Sequence, residues 1–394
     1  MEIEKVFESL EEEKLFNLVE DLIRVPSHSD TPGQEREISR FVEDLLRSWG
    51  VDVTLQKVED DRCNVIAKME GHNVGKSLAL NGHLDTVPPG QAMKDPYRPV
   101  IENGCLHGRG ASDMKGAVGA MIYTLYLLKR CRINLGGDLY FTGVVGEETG
   151  GTGTRFLVRN GFRSDFAVVG EPTNLDLVTS HKGVTRLEIR VRGKAAHASM
   201  PERGANAINA VSDFIQRVEK ELIPELHKRS QEQVGTATLT FGVIQGGTKG
   251  NMVADSCRLQ IDRRWVKTEV LTQVVSEIED ILHKVCEKDP ALSGEIISLH
   301  PSDAYFGPFA IPENHELVRT AKQAMNLVGI SPKISGMPCW SDAATLMNAG
   351  IPTILLGPGS LDQAHTDDEC VELDQLINAT KCYLALIKTI CGWR

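Results

Sequence analysis

The segment SLALNGHLDTVPPG, residues 77–90, decides the fold class. It is a continuous apolar run that ends in a polar, proline-rich loop, which is the pattern of a buried strand in a parallel sheet. His83 and Asp85 lie at the carboxyl end of this predicted strand. Because open α/β sheets place their sites at the carboxyl ends of strands, we expect a functional site here.

Two further segments repeat this design. DLYFTGVVGEETGG (138–151) is apolar up to the adjacent pair Glu147 and Glu148, and DFAVVGEP (165–172) is apolar up to Glu171. Amphipathic helical periodicity precedes the first strands. The pattern indicates an α/β domain whose strand ends carry carboxylates and an imidazole.

The pattern changes between residues 182 and 303. Alternating strands such as TRLEIRVRG (185–193) and CRLQIDRRW (257–265) are interleaved with two amphipathic helical stretches. After this stretch a helix and the buried run IPTILLGPG restore the α/β pattern. We therefore predict one domain formed by residues 1–181 and 304–394, with an α+β domain formed by residues 182–303 inserted into it.

Composition excludes several classes of protein. The chain has 394 residues, 41% of them hydrophobic and 25% charged, which is typical of a globular protein with a large core. Its net charge of -11 repels nucleic acids and anionic membranes, so we expect neither as a partner. The nine cysteines form no C-x-x-C pair, and the acidic N-terminal segment does not resemble a signal peptide. These features predict a cytoplasmic protein.

Five strand ends or loops present side chains that bind divalent transition metals. Each of these side chains alone would more often belong to a solvated loop. Together they favour a catalytic metal site over a structural one, because structural zinc usually takes cysteine ligands and none is present in this set. The side chains are those of His83, Asp113, Glu147 with Glu148, Glu171 and His365.

Several motifs follow one another along the chain: NGHLDTVPPG, GRGASDMKGAVGA, GEETGGTGT, GEPT, KAAHASMPERGANAI, SDAA with GIPTILLGPG, and AHTDDE. This ordered set resembles the M20 family of co-catalytic zinc hydrolases, which includes deacetylases, desuccinylases, aminoacylases and carboxypeptidases. The resemblance extends from about residue 15 to residue 385. It implies a zinc-exopeptidase-like catalytic domain with an inserted lid or dimerisation domain.

The resemblance implies two divalent metal ions per chain, zinc in the first place, with cobalt or manganese able to substitute. Asp113 would bridge the two ions. His83 and Glu171 would complete one site, and Glu148 and His365 would complete the other. Two such ions hold a shared water and polarise a scissile carbonyl.

Two acidic residues are expected to act beside the ligands. Glu147 would be the general base, because neighbouring residues of an extended segment point to opposite sides and Glu148 is assigned to the metal. Asp85 lies two residues after His83, on the same side of an extended chain, and is expected to accept the spare imidazole N–H. The resemblance also implies a cis peptide bond between Asp113 and Met114.

The inserted domain is expected to contribute to substrate binding. By resemblance, His197 would stabilise the tetrahedral oxyanion, either in its own subunit or across a homodimer formed through this domain. Asn251 and Arg264 would contact the polar end of the substrate, with Arg263 as the alternative to its neighbour.

We therefore predict a metal-dependent hydrolase that cleaves the amide bond of an N-acyl amino acid. The alternative is an exopeptidase that acts on dipeptides or the carboxyl end of peptides. A non-catalytic metal-dependent binding protein is disfavoured, because Glu147 would then have no role. A nucleotide-dependent enzyme is disfavoured because GEETGGTG lacks both the G-x-G-x-x-G pattern and a phosphate-binding lysine.

Overall fold

The computed structural model describes residues 2–300 and 305–393 of the chain. Within these residues the α-helices are α1 (Ile3–Glu8), α2 (Glu12–Ile23), α3 (Arg36–Ser48), α4 (Gly116–Arg130), α5 (Thr152–Arg159), α6 (Ala207–Arg217), α7 (Ile223–Leu226), α8 (Leu271–Cys286), α9 (Glu316–Leu327), α10 (Ala343–Asn348) and α11 (Leu373–Ile390).

The strands of the same described residues are β1 (Asp52–Glu59), β2 (Arg62–Met69), β3 (Leu78–His83), β4 (Val100–Glu102), β5 (Cys105–His107), β6 (Leu139–Val144), β7 (Phe166–Val169), β8 (Leu177–His181), β9 (Gly183–Arg192), β10 (Ser230–Gln231), β11 (Gly235–Thr236), β12 (Thr238–Gly246), β13 (Ser256–Trp265), β14 (Ser293–Ser298), β15 (Phe309–Ala310), β16 (Ile334–Met337), β17 (Thr353–Leu355) and β18 (Cys370–Glu372).

The chain divides into two compact units. The first unit comprises Met1–Thr179, Ile311–Ser335 and Ser341–Arg394, and the second comprises Ser180–Ala310 and Gly336–Trp340. The chain passes from the first unit to the second within β8. The predicted boundary between residues 303 and 304 lies outside the described residues.

The first unit is built on a mixed sheet with the strand order β1-β2-β6-β3-β7-β17-β8. β3 pairs in parallel with β6 on one side and with β7 on the other. All residues of β3 and β7 are buried, as expected for strands covered on both faces. The predicted α/β class is confirmed.

Helices cover this sheet through apolar surfaces. α4 packs against α2 and α11, and its sequence GAVGAMIYTLYLL is buried almost throughout. Gly119 permits the close approach of α2, because a Cβ atom at this position would lie 2.5 Å from Cγ2 of Val19. The rigid sheet and its helices therefore hold the strand ends that carry the predicted site.

The second unit contains an antiparallel sheet with the order β12-β13-β9-β14. Alternate residues of β9 and β13, among them Ile189 and Ile261, form a core with α6 and α8. The opposite face carries charged side chains such as Arg190 and Arg258. This alternation is the sequence pattern that predicted an α+β unit.

Candidate metal centre

The carboxyl ends of three adjacent strands carry predicted site residues. His83 is the last residue of β3, the pair Glu147 and Glu148 follows β6, and Glu171 follows β7. Because β6, β3 and β7 run in parallel, these ends share one edge of the sheet. The structure thus brings together side chains from three segments that are far apart in the sequence.

Asp113 links histidines from two different segments at this edge. Its Oδ1 lies 2.9 Å from Nε2 of His83, and its Oδ2 lies 3.3 Å from Nε2 of His365. The same Nε2 of His365 lies 3.0 Å from Oε1 of Glu148. Single ligand atoms of His83, Asp113 and Glu148 all lie within 4.8 Å of one another, so these residues could hold a metal ion.

The two histidines face strongly acidic surroundings. Hydrogen bonds to Asp113 and Glu148 raise the pKa of His365 to about 10. Burial lowers the pKa of His83, but the contact with Asp113 outweighs it and holds that pKa well above its usual value. Burial acts in the opposite sense on Asp113, yet both histidines hold the pKa of its carboxyl below its usual range. Positive charge is therefore favoured at both nitrogens that face Asp113.

Two further carboxylates crowd the same edge. Burial, followed by the charge of Glu171, raises the pKa of Glu147 well above its usual value. Burial and the charge of Asp113 do the same to the pKa of Glu171. Oε1 of Glu171 is buried, and no group of the described residues donates a hydrogen bond to it.

This donor set fits divalent cations. It consists of imidazole nitrogens and carboxylate oxygens, the ligands of catalytic zinc and related metals. A buried carboxylate oxygen without a hydrogen-bond donor, as in Glu171, costs free energy unless a cation or another donor satisfies it. A bound cation would also offset the mutual repulsion of the carboxylates of Asp113, Glu148 and Glu171.

Asp85 supports His83 differently from the prediction. Nδ1 of His83 lies 2.8 Å from the backbone oxygen of Asp85, whereas the nearer carboxylate oxygen is 3.7 Å away. The carboxylate instead accepts hydrogen bonds from the backbone N–H groups of Glu147 and Glu148, at 3.1 and 2.9 Å. The expectation assumed an extended chain, but β3 ends at His83, so the carbonyl turns toward the ring.

The peptide bond between Asp113 and Met114 is cis, as the resemblance implied. This prediction is confirmed. Met114 is fully buried behind the site, and its sulfur lies 3.4 Å from the backbone nitrogen of His83.

The three remaining predicted residues lie in the second unit. His197 and Asn251 are exposed on adjoining segments, which are joined by a hydrogen bond from the Ala198 N–H to the Asn251 carbonyl. Arg264 donates from Nε to Asp262 at 2.6 Å and retains partial exposure. Arg263 is fully buried and ion-paired with the carboxylate of Glu269, so it is the less accessible of the two arginines.

Two buried acidic residues, Asp342 and Glu369, were not predicted from the sequence. Asp342 accepts a hydrogen bond from Oγ1 of Thr154 at 2.7 Å, and burial raises the pKa of its carboxyl to about 6. Glu369 is almost completely buried beneath Asp113 and accepts hydrogen bonds from its loop. Both lie within the quoted motifs SDAA and AHTDDE, but the sequence does not reveal which buried groups they contact.

Comparison with known proteins places this chain in a family. The model of peptidase family M20/M25/M40 matches residues 79–389. An acetylornithine deacetylase of Shigella sonnei is 31% identical over 382 residues, covering 94% of this chain and 96% of that protein. An N-formyl-4-amino-5-aminomethyl-2-methylpyrimidine deformylase of Halalkalibacterium halodurans is 29% identical, covering 97% of this chain and 95% of that protein.

A similar fold occurs in a solved tripeptidase of Staphylococcus aureus. Its TM-score is 0.82 at 24% sequence identity, covering 97% of this chain and 99% of that chain.

In the part of the chain that the structure describes, no helix is both long and apolar enough to cross a membrane.

Fold, donor set and relatives define a metal-dependent hydrolase of amide bonds. The chain belongs to peptidase family M20/M25/M40, and the resemblance inferred from its motifs is confirmed.

Proposed function

We propose that this enzyme removes the acyl group from an N-acyl amino acid by hydrolysis, using two divalent metal ions. The observation that carries the proposal is the position of Asp113, whose two carboxylate oxygens face His83 and His365 separately. A carboxylate with a histidine at each oxygen is suited to bridge two cations. Deacetylase and deformylase activities among the relatives support an acyl group as the part removed.

The ligands divide into two sets around Asp113. His83 and Glu171 would complete one metal site, since both lie at the ends of strands that flank each other. Glu148 and His365 would complete the other, since they already contact each other at 3.0 Å. When bound, the ions would supply Lewis acidity and lower the pKa of water. Zinc suits this set, and cobalt or manganese would be expected to substitute.

Glu147 has the properties of a general base. Its side chain is half-buried, and its surroundings raise its affinity for a proton. It would accept the proton of the attacking water and pass it to the nitrogen of the leaving amine. The backbone N–H of Glu147 is held by Oδ1 of Asp85, which fixes the segment that carries both glutamates. Asp85 would thus position the base as well as the ligand that follows it.

The contacts of His197 with Ser199 leave its Nε2 as the hydrogen-bond donor for an oxyanion. The backbone N–H of Ser199 donates to Nδ1 of His197 at 3.1 Å, and Oγ of Ser199 lies 2.7 Å from the same nitrogen. Because Nδ1 accepts a hydrogen bond, the proton of the neutral ring resides on Nε2. Nε2 is then the donor that the tetrahedral state requires.

The second unit would also recognise the substrate and form a dimer. Asn251 and Arg264 would bind the polar end of the substrate. Arg264 would then exchange its hydrogen bond to Asp262 for one to the substrate.

β12 is an edge strand on which Val243 and Ile244 are 40% and 54% exposed. Pairing of this edge with a second copy would cover the backbone hydrogen-bonding groups of β12 and part of these two side chains, so we propose a homodimer. The nine cysteines without a disulfide support a reducing, cytoplasmic location.

A substrate screen tests the proposed reaction. Purified protein loaded with zinc, cobalt or manganese would be assayed on N-acetyl, N-formyl and N-succinyl amino acids and on dipeptides, beside Glu147→Gln to exclude a contaminating activity. We expect hydrolysis of at least one N-acyl amino acid. Cleavage of dipeptides alone would favour the exopeptidase alternative, and no cleavage of either class would contradict the proposal.

A further inference from the structure

The buried carboxylate of Glu369 accepts hydrogen bonds from residues 109–113, the segment that carries Asp113 and is called the Asp113 loop below. Only 1% of the residue is exposed. Oε2 accepts from Nη1 of Arg109 at 2.5 Å and from the N–H of Gly110 at 2.9 Å. Oε1 accepts from the N–H groups of Ser112 and Asp113, each at 3.0 Å. Four donors therefore meet a single side chain.

These contacts join the two loops that carry Asp113 and His365. The N–H of Gly108 donates to the backbone oxygen of Glu369, and Nη2 of Arg109 donates to the backbone oxygen of Thr366, the residue after His365. The Asp113 loop is thereby fixed to residues on the C-terminal side of His365.

A second connection lies on the other side of His365. Oγ of Ser112 donates to the backbone oxygen of Ser360 at 3.0 Å and accepts from its N–H at 2.9 Å. His365 itself has a φ of 64°, a left-handed conformation that is unfavourable for a residue with a side chain. The two connections hold the segment on both sides of this conformation.

The pattern of donors matches a side chain with two acceptor oxygens. All four partners of Glu369 are donors, and only a side chain with two acceptor oxygens satisfies them. A glutamine would direct its NH₂ group at two donors, and an aspartate is one methylene too short to keep all four contacts. The geometry is thus specific to glutamate.

We propose that Glu369 is a positioning residue of the metal centre, which sets the distance between Asp113 and His365 and thereby determines how tightly the site binds its metal ions. This role of Glu369 rests on the proposed two-metal function. Glu369 acts through the backbone of Asp113, whose side chain lies 3.3 Å from His365. Its carboxylate contacts Arg109 and backbone N–H groups, so its effect on the metal ions would be indirect.

Metal titration of the full-length apoprotein tests this role without any substrate. We expect Glu369→Gln to bind Co²⁺ with an affinity about 10- to 100-fold lower than wild type, the usual effect of removing a group that orients a ligand. The shift should be larger for the weaker of the two binding steps. At saturating metal, KM should stay unchanged and most of kcat should return. The matched control is Asp368→Asn, which removes an exposed neighbouring carboxylate and should bind as wild type does.

A folded Glu369→Gln protein with wild-type Co²⁺ affinity would overturn the proposal. If this variant does not fold, Glu369→Asp decides, because it keeps the charge: we expect weakened Co²⁺ binding, and wild-type affinity would again overturn the proposal. Failure of the proposed function has a different signature. The wild-type protein would then bind Co²⁺ but hydrolyse no N-acyl amino acid, while the difference between wild type and Glu369→Gln in the titration would persist.

Discussion

His83 and His365 approach opposite oxygens of the Asp113 carboxylate, at 2.9 and 3.3 Å. The first histidine ends a central strand, and the second lies on a loop 282 residues later in the sequence. One carboxylate therefore faces two separate nitrogen donors, and the expectations for metal binding and catalysis follow from this arrangement.

Removal of metal should abolish the activity. Because every proposed ligand is a nitrogen or carboxylate oxygen, a chelator at neutral pH should produce an inactive but folded protein. Activity on the substrate found in the screen should return on addition of zinc, cobalt or manganese. Full turnover by protein shown to be metal-free by elemental analysis would contradict a metal-dependent mechanism.

Glu147→Gln should lose about two to four powers of ten in kcat, because a general base typically contributes that much. The amide keeps the shape of the side chain but cannot accept the proton. The metal content and the circular dichroism spectrum should remain those of wild type. Glu70→Gln serves as the control, since the side chain of Glu70 is 82% exposed and its loss should leave kcat unchanged. Loss of metal from the Glu147 variant would instead identify this residue as a ligand.

A mixing experiment distinguishes the two positions in which His197 could act. His197→Ala and Glu147→Ala should each be inactive as pure proteins. If His197 serves the partner's active site, random exchange gives half mixed dimers with one intact site of two, and about a quarter of wild-type activity should return. Proteins that demonstrably exchange subunits yet remain inactive would place His197 in its own subunit or outside the mechanism.

Glu269 is expected to stabilise the second unit. Its buried carboxylate pairs with Arg263 and with Arg229, and it also accepts from the N–H of Val266 at 2.9 Å. Glu269→Ala leaves a buried arginine without this partner, so we expect a loss of about 3 to 5 kcal/mol in the free energy of unfolding of this unit, measured by urea titration. Glu225→Ala breaks the exposed pair with Lys228 and should cost about 1 kcal/mol or less. Equal effects of the two changes would contradict the assignment.

The sequence alone predicted the location of those site residues that follow strands. His83, Glu148 and Glu171 each follow an apolar run, and the neighbouring parallel strands β6, β3 and β7 bring such ends to one edge. Periodicity therefore predicted both the class of fold and the location of the site. The pairing of Asp113 with His365 came from family resemblance, since neither residue follows one of these strands.

The orientation of Asp85 and the role of Glu369 could not be predicted from the sequence. Asp85 lies after β3 has ended, so the rule that alternate residues share a side no longer applies there. The partners of Glu369 are mostly backbone N–H groups about 256 to 259 positions away in the chain. Backbone donors have no sequence signature, and only the folded chain shows where they point.

The central claim is that Asp113 bridges two metal ions, and anomalous X-ray diffraction from crystals of zinc-loaded protein tests it most directly. Data collected at the zinc absorption edge should show two peaks about 3.5 to 4 Å apart, one on each side of the Asp113 carboxylate. His83 and Glu171 should contact one peak, and Glu148 and His365 the other. A single peak at full occupancy, or two peaks that Asp113 does not join, would contradict the account.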